Sequence, residues 1–389
     1  MENRSVDGPA DGGSEEVGRR EECAAGRPRV ERRVESPRIG SMAPSGATGI
    51  LLSVCIPTYN RYSFLETNLR ILEREFAGIA ANRFEVRIYD NSENPQETER
   101  LRNRFPAFLY FANKVNVGSD ANIAQCYSQA LGDYVMALGD DDYFLPGAIP
   151  KLFRLLESRR YGIVYLKMAG HDHDYVGEVP KKRHSVIETE DRERFVRLLG
   201  AGMMTISSLV IPRFKLPQLD PSQYEGTNLV QLGVALDALE ASALNVVTND
   251  YFISGKRNNT GGYDSDKVFV NNVIKIYGAR SRPVEVAGTQ AVLFKTLLSR
   301  FYPQRLFVDR MQGNMSGERR RFYHERFRRL RNYWLFTAPM LYLPKPLLLI
   351  GGPMIIMTSK ILNRDGLRAW KFVAGSVWRR LRALGAGGR

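Results

Sequence analysis

The chain has 389 residues, 43% of them hydrophobic, which is enough to bury one large domain with appendages or two domains. Its three cysteines are far apart and form no CxxC pair, which excludes a disulfide framework and a cysteine zinc site and fits a reducing, cytoplasmic setting. The formal net charge is +14, and the last quarter of the chain carries the whole excess, with twenty Lys and Arg against four Asp and Glu from residue 295 onward.

Residues 1–49 form the first predicted segment. They are rich in Glu, Arg, Gly, Ser and Pro and almost free of large apolar side chains, so burial could not offset the entropy of ordering them. We therefore predict a disordered N-terminal segment. It contains no apolar stretch of the kind found in secretory signals.

Strands and helices alternate from Ile50 to Leu166. Apolar runs predict the strands, and apolar residues at helical spacing predict the helices. The predicted strands are Leu51–Ile56, Phe84–Tyr89, Phe108–Phe111, Tyr134–Leu138 and Gly162–Leu166, and the predicted helices are Tyr62–Phe76, Pro95–Phe105, Ser119–Ala130 and Gly147–Arg160. This alternation indicates an α/β fold with a mainly parallel sheet and right-handed crossovers.

Four of these strands end in loops rich in polar residues. The loops are Thr58–Arg61, Asp90–Ser92, Asn116–Asn122 and Asp140–Asp142. The carboxyl ends of parallel strands lie at the same edge of a sheet, and the ligands of open α/β sheets bind there. The four loops together therefore predict a nucleotide site.

Three consecutive aspartates, Asp140, Asp141 and Asp142, follow the predicted buried strand Tyr134–Leu138. Their mutual repulsion would weaken the fold if nothing compensated it. Mg²⁺ or Mn²⁺ is the usual compensation, because these ions prefer carboxylate oxygens and keep coordination positions for phosphate. The alternative is a solvated acidic turn. The three polar loops upstream favour a metal site over a solvated turn.

The four loops, in this order and spacing, resemble family 2 of the nucleotide-sugar-dependent glycosyltransferases, which have the GT-A fold. The matching fragments are Ile56–Arg61, Ile88–Ser92, Asn116–Gly118 with Asn122, and Gly139–Asp142. The resemblance covers about residues 51–166 and is greatest to the abequosyltransferase-like branch of bacterial cell-surface polysaccharide enzymes. It implies a GT-A domain at 50–280, with a Rossmann-like nucleotide-sugar half at 50–166 and an acceptor half at 167–280.

The resemblance also implies roles for individual residues. Those assigned to the donor are Pro57, Thr58, Tyr59 and Arg61 around the base and ribose, Asp90 and Asn91 at the nucleobase, and Asn116, Gly118 and Asn122 under the ribose and phosphates. Asp140 and Asp141 would occupy the DxD-type position, and the residues assigned to Mn²⁺ or Mg²⁺ are Asp141 and Asp142. The family commonly has an earlier Asp where this chain has Gly139, which leaves the number of metal-bound aspartates open.

The acceptor half offers one candidate for the catalytic base. An inverting transfer needs a carboxylate to take the proton of the acceptor hydroxyl. Glu225 lies where the family often has an acidic pair, before a predicted helix at Asn228–Leu244. The polar loop Ser254–Asn259 could clamp the pyrophosphate through Lys256 and Arg257, or it could be an ordinary surface loop.

Three other stretches of this half are interpreted structurally. His171–Asp174 resembles a metal cluster, but its alternating loop residues favour a solvent-exposed turn. Glu190–Leu199 predicts a helix. Ala201–Ser208 fits either a loop and strand under the acceptor or a piece of core.

Residues 281–389 form a basic region that we predict to be helical. An apolar run from Tyr333 to about Met357 is interrupted by prolines, glycines and a lysine, which a clean transmembrane helix tolerates poorly. Arginine-rich stretches flank the run, and the three tryptophans stand among them as interfacial anchors do. These features favour insertion into one leaflet of an anionic membrane over a packed helical hairpin.

Taken together, the residues and the resemblance predict a metal-dependent, inverting glycosyltransferase. It would move a sugar from a nucleoside-diphosphate sugar to a hydroxyl of a glycan or polyprenyl-linked acceptor, in cell-surface polysaccharide synthesis. Its predicted location is the cytoplasmic face of the cell membrane, attached peripherally or monotopically.

Two alternatives were weighed against this interpretation. A nucleotidyltransferase usually carries a glycine-rich loop after its first strand, and Pro57–Arg61 contains no glycine. A non-catalytic protein that binds membrane surfaces or nucleic acid would leave the three aspartates unexplained. Because the chain has no RNP-like or helix-turn-helix signature, nucleic acid is not an expected partner.

Overall fold

The computed structural model describes residues 49–180, 185–216, 219–257, 264–279 and 283–362. The disorder predicted for residues 1–49 falls, apart from Gly49, outside these ranges. The same holds for Trp370 and Trp378 of the predicted membrane anchor and for Asn258 and Asn259 of the predicted clamp loop.

Strands and helices alternate through the first part of the chain, as predicted. The strands are β1 Leu52–Thr58, β2 Phe84–Asp90, β3 Leu109–Ala112, β4 Tyr134–Ala137, β5 Asp142–Phe144, β6 Val164–His171, β7 Val186–Thr189, β8 Leu209–Pro212 and β9 Asn245–Lys256. The helices are α1 Tyr62–Phe76, α2 Pro95–Arg104, α3 Ser119–Ser128, α4 Ala148–Ser158, α5 Arg192–Leu199, α6 Val230–Ala241, α7 Val273–Ala279, α8 Pro283–Thr296, α9 Tyr302–Met311, α10 Gly317–Phe327, α11 Ala338–Tyr342 and α12 Lys345–Leu362.

These strands form one sheet in the order β3-β2-β1-β4-β8-β6-β9-β5, with β7 paired to β9. β1 runs parallel to β2 and β4, and β2 runs parallel to β3. This half confirms the predicted parallel sheet. β8 is antiparallel to both β4 and β6, so it separates the fourth predicted strand from the fifth. The mainly parallel arrangement therefore gives way to mixed pairing in the second half.

The alternative that predicted a loop and a strand within Ala201–Ser208 was wrong about the strand. The chain forms a short 3₁₀ turn at Gly200–Met204, and the strand starts only at Leu209. Gly200 has a φ of 53°, a left-handed conformation that ends α5 and that favours glycine. The prediction of core is right for part of this stretch, because Met203 and Met204 are buried.

Helices cover both faces of the sheet. Alternate residues of a strand point to opposite faces, and in β1 they enter two different cores. Val54 and Ile56 pack in a core that includes residues of α1, α2 and α4. Cys55 packs in a second core with residues of α3, α5 and α6. The C-terminal helices extend this second core through Leu293, Leu306, Phe327, Leu348 and Ile356.

The apolar run at 333–357 is partly core. Its buried residues include Tyr333, Met340, Leu341, Leu348 and Ile356, which agrees with the packed alternative for this side of the run. The other side of α12 is exposed. Its large apolar side chains there are Leu347, Leu349, Ile350 and Met354. Within the described ranges, no helix has both the length and the hydropathy that crossing a membrane requires.

Candidate active site

The ends of β1 and β4 bring the first polar loop against the aspartates. β1 pairs directly with β4, so Thr58 lies next to Asp140 at the carboxyl edge. The Thr58 hydroxyl donates a hydrogen bond to Asp140 Oδ2 at 2.8 Å, and both side chains are buried. Arg61 Nη1 lies 2.7 Å from Asp140 Oδ1, and Arg61 Nη2 lies 2.6 Å from Asp141 Oδ2. Two residues assigned to the donor thus contact the aspartates themselves.

Two residues that sequence reasoning missed hold the aspartate turn in place. The buried side-chain amide of Asn68, on α1, donates to the carbonyl oxygens of Gly139 and Asp142 at 3.0 Å. The hydroxyl of Ser207 accepts from the Gly139 N–H at 2.8 Å and donates to the Asp142 carboxylate. Asn68 interrupts the apolar face of α1, which was the only sequence signal available for either residue.

Asp142 is placed differently from the other two aspartates. It begins β5 and pairs with Gly255 of β9, and its carboxylate is hydrogen-bonded to Ser207. Loss of water around this carboxylate raises the pKa of Asp142 to about 7, with further contributions from the negative charges of Asp141 and Asp140. Asp142 is therefore part of the support of the turn, and its carboxylate is engaged from the protein side.

The environment of Asp140 is also unfavourable to charge. Burial raises the pKa of Asp140 to about 6, although Arg61 and the Thr58 hydroxyl oppose this rise. The ion pairs with Asp140 and Asp141 raise the pKa of Arg61 above its ordinary value, against the opposite effect of its own burial. The positive charge of Arg61 therefore favours the ionised form of Asp140 against the effect of burial.

Asp140 and Asp141 are the residues that could hold a divalent cation. Asp140 Oδ1 is buried and accepts no well-aligned hydrogen bond from any described residue, although Arg61 lies at ion-pair distance from it. Hard cations such as Mg²⁺ are often bound by one or two carboxylates together with substrate phosphates, and this donor set fits that pattern. Among the described residues, no three His, Cys, Asp or Glu are grouped as a metal site of their own.

Asp90 is anchored within the protein. Its Oδ2 accepts hydrogen bonds from the hydroxyls of Thr98 and Tyr62, and its Oδ1 accepts from the Ser92 N–H at 2.9 Å. Asp90 is 1% exposed, so any contact with a nucleobase would use the remaining lone pairs of a carboxylate that is already fixed in position. Thr98 and Tyr62 were not among the predicted site residues.

Asparagine side chains connect the third loop to the end of β2. Asn91 donates to Asn116 Oδ1 and accepts from the backbone N–H of Val117 at 2.9 Å. Asn122 donates to the Tyr89 carbonyl oxygen at 3.0 Å. Asn91 and Asn122 are buried, whereas Asn116 and Gly118 are exposed. Asn91 and Asn122 therefore shape the loop. Asn116 and Gly118 lie on the surface, where a ligand could reach them.

The loop after β1 presents one aromatic ring to solvent. Tyr59 is 50% exposed, between the partly buried Pro57 and the exposed Asn60. Asn60 has a φ of 53°, and its N–H donates to Ser92 Oγ at 2.6 Å. A non-glycine residue in this conformation needs local support, and Ser92 of the second loop supplies it. The Tyr59 ring is free to stack on a planar base.

Glu225 is exposed and lies in a loop that other side chains hold firmly. The Tyr224 hydroxyl donates to Asp237 at 2.8 Å. The N–H of Asn228 donates to Asp120 Oδ2 at 2.8 Å. Asp120 is in the first turn of α3, two residues after Gly118, so this contact links the loop of Glu225 to the predicted phosphate side of the site. Asp120 was not among the predicted site residues.

Lys256 and Arg257 follow Gly255, the partner of Asp142 in the sheet, so they lie beside the aspartate turn. Both contact the loop after β6. Lys256 donates to the Asp172 carbonyl oxygen, and Arg257 Nη1 lies 2.8 Å from Asp172 and 2.9 Å from Glu178. The structure therefore engages both cations with this loop.

The solvent-exposed turn predicted at His171–Asp174 was wrong for His171. This residue ends β6, is buried, and lies 3.0 Å from Ser254 Oγ through its Nδ1. Burial and the neighbouring Lys256 lower the pKa of His171. The turn itself begins at Asp172, where Glu178 accepts from three successive backbone N–H groups and these bonds lower the pKa of Glu178 to about 2.

Sequence comparison finds one family and two relatives. The family described as glycosyl transferase family 2 matches residues 53–215. Abequosyltransferase RfbV of Salmonella typhimurium is 29% identical over 205 residues, which cover 46% of this chain and 58% of the relative. The uncharacterized protein MT1568 of Mycobacterium tuberculosis is 32% identical over 120 residues, which cover 30% of this chain and 35% of the relative. The chain thus spans less than two thirds of either relative.

Comparison of the fold finds similar solved structures. TarS of S. aureus, residues 1–349 in complex with UDP-GlcNAc, has a TM-score of 0.53 at 15% identity, covering 85% of this chain and 92% of that chain. The same TarS fragment in another crystal structure has a TM-score of 0.51 at 14% identity, with the same coverage. At this level of identity the similarity concerns the fold.

Proposed function

We propose that the chain transfers a sugar from a nucleoside-diphosphate sugar to a hydroxyl of a glycan acceptor, because residues 53–215 match glycosyl transferase family 2 and the fold is similar to that of TarS. The observation that carries the proposal is the cluster of Thr58, Arg61, Asp140 and Asp141 at the carboxyl ends of two adjacent parallel strands. This edge is where α/β sheets bind nucleotides.

The donor would lie over the loops that follow β1, β2 and β3. Tyr59 would stack on the base, and the fixed carboxylate of Asp90 would accept one hydrogen bond from it. The exposed Asn116 and Gly118 would lie under the ribose and phosphates. The UDP-GlcNAc complex of the similarly folded TarS supports a nucleotide sugar as the class of donor. RfbV supports a product among cell-surface polysaccharides.

Asp140 and Asp141 would hold Mn²⁺ or Mg²⁺. When bound, such an ion neutralises the charge that develops on the departing diphosphate. We assign Asp142 to the support of these two residues, because its carboxylate is hydrogen-bonded to Ser207 on the protein side. This assignment replaces Asp142 by Asp140 in the metal set predicted from sequence, which paired Asp141 with Asp142.

Glu225 is the residue we propose as the base of an inverting transfer. Its carboxylate would take the proton of the acceptor hydroxyl while that oxygen attacks the anomeric carbon and the nucleoside diphosphate leaves from the opposite side. Two features support the choice: Glu225 is exposed, and Asp120 ties its loop to the start of α3.

We also propose that the acceptor is lipid-linked and that the enzyme works at an anionic membrane surface. The exposed face of α12 supports this proposal, since Ile350 is 71% exposed and Leu347, Leu349 and Met354 are each more than half exposed. Leu347, Ile350 and Met354 are spaced i, i+3 and i+7 on the helix and so share one face, as the apolar residues of an interfacial helix do. The stretch 326–364 contains seven Lys and Arg and no Asp or Glu, which complements anionic lipid headgroups.

The test is to incubate the purified full chain with a panel of nucleotide sugars, with Mn²⁺ and with Mg²⁺, and to measure nucleoside diphosphate release. We expect release with at least one donor and its loss in Asp141→Asn. Glu73→Gln is the matched control, because Glu73 is an exposed carboxylate on α1. Release of pyrophosphate in place of nucleoside diphosphate would indicate a nucleotidyltransferase and contradict the proposal.

A further inference from the structure

Arg61 already supplies the aspartate turn with a positive charge. Its two terminal nitrogens reach different residues, Nη1 lying 2.7 Å from Asp140 Oδ1 and Nη2 lying 2.6 Å from Asp141 Oδ2. The guanidinium therefore bridges two neighbouring carboxylates. Since Asp140 is buried next to Asp141, a bridging cation offsets the repulsion between the two carboxylates.

The bridge engages one oxygen of each carboxylate that we assign to the divalent cation. Asp140 Oδ2 already accepts from the Thr58 hydroxyl, which leaves Oδ1 as the oxygen of that residue that accepts no well-aligned hydrogen bond from a described residue. Arg61 contacts this atom and Asp141 Oδ2 at once. A guanidinium and a dication held by the same two oxygens would repel each other strongly at such short range. The two cations are therefore competitors for one place.

The Arg61 side chain also has an alternative position away from the two carboxylates. Its side chain is 33% exposed, so a path to solvent is open. The guanidinium carbon lies 5.0 Å from the centre of the Phe64 ring, which provides a second favourable contact when the carboxylates are released. Arg61 immediately precedes α1 at the edge where the donor phosphates are proposed to lie, and a guanidinium fork matches phosphate oxygens well.

We propose that Arg61 is an exchangeable counter-ion: it holds Asp140 and Asp141 while no divalent cation is bound, and it moves to the diphosphate of the donor when a cation takes those carboxylates. This inference rests on the proposed metal and donor sites. It assigns Arg61 to the phosphates, where the family resemblance assigned it to the base and ribose. It also predicts that the same residue weakens binding of the metal alone and strengthens binding of the diphosphate.

The first measurement is the affinity of the full chain for Mn²⁺ without nucleotide, followed by the electron paramagnetic resonance signal of free Mn²⁺. Arg61→Ala should bind Mn²⁺ on the order of tenfold more tightly than the natural chain. Arg74→Ala is the control, because it removes the same charge from an exposed position on the same helix. An unchanged or weaker affinity in Arg61→Ala would overturn the proposal.

The second measurement is the binding of inorganic pyrophosphate and of UDP by calorimetry at saturating Mn²⁺. Arg61→Ala should lose about tenfold or more in affinity for both ligands. If Arg61 acted only through the electrostatic potential of the site, Arg61→Ala would bind Mn²⁺ more tightly and would bind pyrophosphate and UDP with unchanged affinity. That result would also overturn the exchange. Together, the two measurements separate a counter-ion that exchanges from one that is only structural.

Arg61→Lys protects the test against a folding defect. A single ammonium can pair with one carboxylate but cannot bridge two, so this variant should have intermediate affinities for Mn²⁺ and for pyrophosphate. Its circular dichroism and thermal midpoint would show whether the turn is intact. Values equal to those of the natural chain in both titrations would contradict the need for a bridge.

Failure of the Arg61 exchange and failure of the proposed sugar transfer would give different results. Nucleoside diphosphate release together with no Mn²⁺ binding in any variant would overturn the exchange and leave sugar transfer standing. Tightened Mn²⁺ and weakened pyrophosphate binding in Arg61→Ala, with no donor cleaved by the natural chain, would support the exchange and contradict the transfer.

Discussion

Asp120 and Asn228 are 108 positions apart in the chain, yet the Asp120 carboxylate accepts a hydrogen bond from the Asn228 N–H at 2.8 Å. Asp120 belongs to the first turn of α3, beside the loop proposed to lie under the donor phosphates. Asn228 closes the loop that carries Glu225 and has a φ of 54°, which is unusual for a residue with a side chain. This one bond therefore ties the proposed base to the proposed donor site.

The first prediction concerns this tie. Asp120→Ala should lower transfer to an acceptor by about ten- to hundredfold, because the loop of Glu225 would lose its alignment. Donor affinity should change little. Asp120→Asn should restore most of the activity, since an amide oxygen can still accept from the Asn228 N–H. Separate assays of donor binding and acceptor transfer check this, and equal losses in both would argue against a positioning role.

Asp141→Asn should reduce transfer on the order of a hundredfold or more and leave the fold intact. The change replaces a charged ligand oxygen by a neutral amide, which binds hard cations poorly. Circular dichroism and nucleoside diphosphate release at saturating Mn²⁺ are the measurements. Chelation with EDTA should inactivate the natural chain in the same way, and added Mn²⁺ should restore it. Turnover close to that of the natural chain in Asp141→Asn would refute the metal assignment.

Ser207→Ala should destabilise the protein by about 1–3 kcal/mol, because the Gly139 N–H and the Asp142 carboxylate would both lose their partner. Denaturant unfolding measures the change. Ser208→Ala is the control, since this neighbour is equally buried and has no hydrogen bond to the aspartate turn among the described residues. If the two variants are equally stable, Ser207 does not support the turn.

Asp90→Ala should raise the apparent donor Kd by about tenfold, with a smaller effect on the maximal rate. The reason is that the proposed contact with the base would be the same in the bound substrate and in the transition state. It should also cost stability, because Thr98, Tyr62 and Ser92 would lose their acceptor. Thr98→Val retains the carboxylate and should affect stability more than donor affinity. Calorimetric titration of the donor distinguishes the two variants. An unchanged donor affinity in Asp90→Ala would contradict its role at the base.

The exposed face of α12 should bind anionic vesicles. Replacing Leu347 and Ile350 together by Glu should lower partitioning into vesicles of phosphatidylglycerol by at least tenfold, because two exposed apolar side chains that would enter the bilayer become charged. Thr358→Glu adds a charge at another exposed position of α12 and serves as the control. Flotation at low and at high salt is the measurement. Absence of binding by the natural chain at low salt would contradict the membrane proposal.

Local patterns determined much of the catalytic half. The apolar spacing of Tyr62–Phe76 predicted α1 with its observed bounds, and the alternation of strands and helices predicted the parallel pairing of the first four strands. Because the carboxyl ends of parallel strands meet at one edge, the sequence alone also predicted that the loops of Thr58 and Asp140 would lie at the same edge, where the two residues share a hydrogen bond.

What the tertiary structure decided are contacts between residues that are distant in the chain. Asn68 and Ser207 hold the aspartate turn from 71 and 68 positions away from Gly139, and Lys256 and Arg257 face the loop after β6. The antiparallel insertion of β8 between β4 and β6 likewise joins segments that are distant in the chain. Apolar periodicity reports only which face of a segment is buried. The partner of a polar side chain is chosen when remote segments pack and each buried donor or acceptor must be satisfied.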